Sequence, residues 1–287
     1  MTGANEFVRH QSWPCAGPAE LELAIDVGRV RVELAEGTAG EVRVELRHDP
    51  AAGNQWTEGL SGLIGWLGTA GPFDMQPRDP ETLAADAVAE AEISWSEAAR
   101  RLVVRNAQEL PLRTVPIAVT VHAPAGSRLS VRTGAGDVAV TGSTGEADVK
   151  SGSGDVTLGT VAGRARVRTG SGGVTLAAAT GQADVKAGSG DVRIGEIAGE
   201  LRVRSGSGDV EISDARSGSL ELATGSGRLT IAVHPGVGAE LDLSSGSGRA
   251  RSDLEVARTA PESAPALRVR GRTGSGDVLV TRAVVPA

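Results

Sequence analysis

The sequence predicts an all-β protein: a single-stranded parallel β-solenoid (β-helix) with 18-residue coils, an N-terminal β cap and a short helical insertion. Three observations carry that prediction. First, the motif T/S-G-S-G-D-V returns at a fixed interval. Asp137, Asp155, Gly173, Asp191 and Asp209 share one motif position and stand 18 residues apart, and Arg228, Arg249 and Asp277 follow after 19, 21 and 28 residues. A constant period of this size, with strand-like residues between glycine turns, marks a stacked repeat. Second, the residues between the turns alternate aliphatic and polar at period two, as strands with one buried face require. Third, the 287-residue chain holds 40 glycines without a Gly-X-Y period and only 2% aromatic residues. Such a composition suits many tight turns around a thin aliphatic core rather than a core built on large rings.

Residues 1–125 read as the N-terminal β cap. Leu21, Leu23, Ile25 and Val27, then Val30, Val32 and Leu34, then Val42, Val44 and Leu46 give three strands, each with one apolar face. Val27-Gly28-Arg29-Val30 resembles a worn copy of the motif, so this region is expected as the atypical first coil or its cap. Prolines at 50, 72, 77 and 80 punctuate an insertion over about 49–91. Within it Leu60, Leu63, Ile64 and Leu67 have helical spacing, while Gly59, Gly62, Gly65 and Gly68 weaken that helix by roughly 1 kcal/mol each relative to Ala. It would form only against a packing surface. Two readings stay open: a cover for the stack, or a contact for a partner chain or a membrane surface, the latter weakened by the absence of Lys and Arg, with Leu60, Leu63, Ile64, Trp66 and Leu67 as the interaction residues. Asp79-Pro80-Glu81 opens a second helix as N-cap, first helical position and dipole-favoured acid, running to about Ala91. Ile93–Trp95 and Leu102–Val104 flank a hairpin turn, and a strand runs from Val115 to Val121.

Residues 126–287 are the repeats, with a loop at about 251–266. In the coil Glu146 to Gly163, Ala147, Val149, Val156 and Leu158 point inward. Stacking the coils gives aliphatic columns: Val131, Val149, Val167, Val185, Val203, Leu222 and Leu243 form one, and Val138, Val156, Val174, Val192, Val210 and Leu229 another. Gly145, Gly163, Gly181 and Gly199 hold one turn position, expected to need positive φ. About eight to nine coils at roughly 4.8 Å each give a length on the order of 40 Å. Two outer columns carry charge. Asp148, Arg166, Asp184, Arg202 and Glu221 alternate in sign. Arg132, Lys150, Arg168, Lys186 and Arg204 are all basic, and the motif aspartates across the turn are expected to offset them. The final coil, without a capping helix after Val280, should present an open β edge.

Net charge is −7 with pI about 5.3, which argues against nucleic acid as a partner. Cys15 is the one cysteine, so no intrachain disulfide exists. No signal-peptide pattern and no run of 18 apolar residues is found. The expectation is therefore a cytoplasmic protein with no transmembrane segment. Asp137, Asp155, Asp191 and Asp209 on successive coils are calcium candidates by analogy with acidic calcium-binding repeats. Against this, the period differs and Gly173, Arg228 and Arg249 interrupt the acids, so capping of the turn by Asp is the competing reading. The four histidines lack metal-ligand spacing, the Gly-Ser-Gly turns lack the Lys-Ser/Thr pair and helix of a phosphate loop, and no cofactor motif occurs.

The units SGSGDVTL and TGSGDVLV, with PAGSRLSVRTGAGDVAV before them and GPAELELAIDVGRVRVEL near the N-terminus, resemble the bacterial β-strand-repeat candidate adhesins, a family of unknown function. The resemblance covers residues 15–48 and 114–282. It implies a β-solenoid and supplies no catalytic residues. It also implies a link to the cell-envelope stress response, near whose genes some relatives sit. The expected function is a non-enzymatic scaffold or interaction protein with a protein partner or itself as target, a homo-oligomer included. The alternative is a solenoid that binds calcium or carbohydrate through its outer Asp/Arg columns.

Overall fold

Alternating aliphatic and polar residues drive most of the described residues into strands, and nineteen of these join in one hydrogen-bonded sheet system. In the computed structural model the described residues are 7–36, 40–50, 80–255 and 265–284. The N-terminal region contributes β1 (Val8–Pro14), β2 (Glu20–Ala35), β3 (Glu41–His48), helix α1 (Pro80–Glu90), β4 (Glu92–Ser96), β5 (Arg101–Arg105) and β6 (Ile117–Pro124). The repeats begin with β7 (Arg128–Thr144), β8 (Glu146–Ser151), β9 (Val156–Val161), β10 (Ala165–Thr169), β11 (Val174–Ala179) and β12 (Gln182–Ala187). They continue through β13 (Val192–Ser205), β14 (Val210–Thr224), β15 (Leu229–Val233), β16 (Ala239–Ser245), β17 (Ala250–Ser252), β18 (Leu267–Thr273) and β19 (Val278–Arg282).

Pairing within the repeats is parallel and obeys the sequence period. Val149 of β8 lies between Val131 of β7 and Val167 of β10, and Leu158 of β9 lies between Val140 and Leu176. Two parallel ladders result, joined rung by rung through the Gly-Ser-Gly turns. The expected aliphatic columns exist, and Val149, Val167, Val185 and Val203 are each fully buried. The fold is thus all-β with a solenoid-like repeat and a continuous aliphatic core.

Rung order in space departs from chain order at both ends. β2 is one strand where two were expected: Gly28 at φ +130 carries it past the turn, and a Cβ there would lie 2.0 Å from the Ile117 carbonyl. β2 pairs with β5 and β6 on one side and with β7 on the other, so residues 20–35 form the second rung rather than the first. At the other end β18 sits between β14 and β16, and β19 between β15 and β17. The last rung of the chain is therefore inserted beneath the one before it. Leu222 stacks on Gly271, and Leu243 lies beyond, which corrects the expected Leu222–Leu243 contact. Gly271 leaves room for the Leu243 and Leu229 side chains, whose tips would stand 3.2 and 3.6 Å from a Cβ there.

The two ends differ. At the N-terminal end β3 pairs antiparallel with β6, β1 with β3, and β4 with β5 as the expected hairpin. Trp13 of β1 stacks on Trp95 of β4, centroids 5.8 Å apart, and Ala84, Ala87 and Val88 of α1 are buried. The helix occupies the predicted place, while Asp79 lies outside the described residues. At the C-terminal end β16 and β17 are each paired on one side only among the described residues. Arg251 and Ser252 belong to β17 rather than to the expected loop.

Candidate functional site

The candidate surfaces are the columns that the parallel register builds. The motif turn has three. The first is a column of buried hydroxyls. Ser151, Thr169, Ser205 and Thr224 each accept the backbone N–H three residues on, at 3.0, 3.1, 2.9 and 3.2 Å. They close the turn from inside, a role that the T/S at the head of the motif signals and that the sequence reading passed over.

The second column is glycine. A Cβ on Gly154, Gly172, Gly190 or Gly208 would stand 2.0 Å from the carbonyl oxygen of the glycine one rung below. Close stacking, not torsion, selects glycine here. The same holds at Gly145, Gly163 and Gly181, where positive φ was expected: of that set only Gly199 has it, and a Cβ on any of them would come within 2.3–2.4 Å of the carbonyl below.

The third column holds the calcium candidates. Asp137 Oδ1 accepts the N–H of Asp155 at 3.0 Å, and Asp155 Oδ1 that of Gly173 at 2.7 Å. Asp191 binds the N–H of Asp209, Asp209 that of Arg228, and Asp277 that of Arg249. Each carboxylate thus caps the next rung, and one turn is hooked to another. Among the described residues no group of three or more His, Cys, Asp or Glu gathers as a metal site would. Leu60, Leu63, Ile64, Trp66 and Leu67 lie outside the described residues.

The outer charge columns are ordered by the same register. In space the mixed column reads Asp148, Arg166, Asp184, Arg202, Glu221, Arg270, Asp242. The sign alternates throughout, because the inserted rung places Arg270 between two acids. Arg202 meets Glu221 at 2.8 Å and Arg270 meets Asp242 at 2.9 Å. The hydrogen bond from Arg202 holds the Glu221 carboxyl below its usual pKa. At the capped end Arg105 and Arg101 clasp Glu22 and lower its pKa in the same way. Burial raises the pKa of the Cys15 thiol.

The basic column behaves differently. Arg132, Lys150, Arg168, Lys186 and Arg204 stand on consecutive rungs. The motif aspartates do not offset them as expected: their Oδ1 atoms hold backbone N–H groups, and Asp191 Oδ2 pairs with Arg193 at 3.0 Å. On the second ladder, Arg228, Arg249, Arg251 and Asp277 line a shallow depression of about 310 Å³ at the open end.

No curated protein matches the chain. Solved structures similar to nearly all of it include a candidate adhesin from Bacteroides fragilis NCTC 9343, at 11% identity and TM-score 0.46 over 95% of this chain and 96% of that one. Another candidate adhesin, from Parabacteroides merdae ATCC 43184, is 10% identical with TM-score 0.40 over 95% of each chain. A candidate cell adhesion protein from Clostridium sporogenes ATCC 15579 is 11% identical with TM-score 0.26 over 96% of this chain and 99% of that one. The Toastrack DUF4097 family model matches residues 112–281, more than half of the sequence, and the chain therefore belongs to that family.

Proposed function

We propose that this protein is a non-enzymatic interaction module, a single-stranded β-solenoid that associates with a second copy of itself through its open terminal rung. The observation that carries this reading is the contrast between that rung and those beneath it. Leu241 and Leu243 are half-buried and Ala250 is exposed, while the residues at the same positions one rung below and deeper are buried. The outer edges of β16 and β17 have no strand partner among the described residues, so each offers unpaired N–H and C=O groups. Their outward residues differ in charge: Glu240 and Asp242 on β16, Arg249 and Arg251 beside and on β17. A second copy meeting this end with its β17 against β16 would pair opposite charges and extend both ladders. The capped N-terminal end favours a closed pair over a fibre.

Sedimentation velocity across a concentration series tests the reading. The expected result is a dimer that dissociates on dilution. Ala250→Lys with Ser252→Lys, both at exposed positions on the edge, should give a monomer with unchanged circular dichroism. A wild-type chain that stays monomeric at the highest concentration overturns the proposal.

A further inference from the structure

Five like charges on adjacent strands are a cost to the fold. Parallel pairing stacks Arg132, Lys150, Arg168, Lys186 and Arg204 at a spacing of about 4.8 Å. Like charges opposite one another destabilise a sheet. None of the five has a carboxylate at ion-pair distance among the described residues, whereas Arg166 and Arg202 in the neighbouring column reach Asp148 and Glu221 at 3.7 and 2.8 Å. Over the same five rungs the other two outward columns cancel. Arg128, Glu146, Arg164, Gln182 and Glu200 sum to zero, and so do Ser130, Asp148, Arg166, Asp184 and Arg202. The stripe therefore gives this face a net charge of +5 on a chain whose net charge is −7. Alternation would have been the stable choice, and the mixed column beside the stripe shows it.

Two further features narrow what the stripe fits. Beside it, the turn tips present a row of exposed hydroxyls, Ser153, Ser171, Ser189 and Ser207. They are uncharged hydrogen-bonding groups at the same repeat. Also, no aromatic residue lies on these rungs: the described tryptophans, Trp13 and Trp95, are at the N-terminal end. A face without rings gives nucleic-acid bases nothing to stack on.

We propose that the stripe binds a linear carboxylated polysaccharide laid along the stack, across the strands, with one uronate per rung. A polyuronate advances by close to one rung spacing per sugar, so a chain laid along the stack keeps its sugars in step with the rungs, and its carboxylates lie within reach of the stripe at each repeat of its screw. Arginine forks and lysine ammonium groups suit carboxylates. The serine row faces the sugar hydroxyls. Ligand binding would then relieve a repulsion that the fold carries when free.

The test uses the full chain titrated with polygalacturonate, with neutral dextran and oligothymidylate as comparison probes, at low and at physiological salt. Polygalacturonate should bind and weaken with added salt. Penta-galacturonate should bind about tenfold or more tighter than the di-galacturonate, because it spans the five rungs. The variant Lys150→Gln/Arg168→Gln/Lys186→Gln should lose about tenfold or more in affinity and melt higher than the wild type in the ligand-free state. The control Arg31→Gln/Arg193→Gln, which removes two exposed arginines of the second ladder, should bind as the wild type does. Absence of binding at low salt, tighter binding of oligothymidylate than of polygalacturonate, or equal binding by the triple variant would each overturn the proposal. The length dependence needs only the wild-type chain, so a folding defect in the variant does not shield the idea.

Discussion

Single atoms decide how tightly the rungs close. The Gly-Ser-Gly turn succeeds because a bare Cα allows one carbonyl to sit directly under the next. At Gly190 a methyl group would meet the Gly172 carbonyl oxygen at 2.0 Å, and the obstacle is backbone, which cannot swing aside. Gly190→Ala should therefore destabilise the chain by about 1–3 kcal/mol, the usual range for forcing a group into packed structure. Gly238→Ala is the matched control, since nothing lies within 4 Å of a Cβ there. Urea denaturation midpoints would read the difference, and equal midpoints would mean that the turn relaxes freely. A repeated glycine tells a reader of the sequence that a side chain is refused. It does not tell whether torsion or a neighbour refuses it. The motif was therefore legible as a turn, while its cause at Gly145, Gly163 and Gly181 was not. The aspartate position was legible as a cap, but the N–H it caps belongs to the next rung, 18 residues away.

At the scale of elements, electrostatics orders strands that hydrophobic pattern alone leaves interchangeable. β16 and β18 both alternate apolar and polar residues, so either could follow β14. Charge separates them: β14 offers Glu221, which Asp242 would repel and Arg270 attracts. The inserted rung was thus legible in the sequence to anyone who carried the alternation rule past Glu221, and the lengthened intervals after Asp209 marked where to look. The N-terminal clasp makes a comparable link with a pH signature. Arg105 and Arg101 depress the folded-state pKa of Glu22. A depressed carboxylate contributes stability above its unfolded pKa and loses it as pH falls through the folded value. Wild-type stability should accordingly decline on acidification below the ordinary glutamate range, and Glu22→Gln should flatten that decline while lowering stability at neutral pH. Urea midpoints from neutral to strongly acidic pH would show it; parallel curves for the two proteins would remove Glu22 from the account.

For the whole molecule, stacked repeats hold together through neighbouring rungs, so position in space rather than position in the chain should set local stability. The two orders disagree at the C-terminal end. Strands β18 and β19 are the last in sequence, where chains ordinarily fray first. Here they have a rung on each side, and Leu267, Val278 and Val280 are fully buried. Strands β16 and β17 come earlier in the chain yet form the outermost described layer, with exposed Ala250 and, among the described residues, one edge each without a strand partner. Native-state hydrogen exchange at a concentration low enough to keep the chain monomeric should find β16 and β17 amides opening first. The β18 and β19 amides should close near the protection of β14 and β15. The N-terminal rungs, covered by antiparallel strands and by the Trp13–Trp95 stack, should match the interior. Raising the concentration should then protect β16 and β17 selectively if a second copy covers the open rung. Faster exchange in β18 than in β16 would contradict the inserted order directly, since no other arrangement makes the final strands of the chain interior.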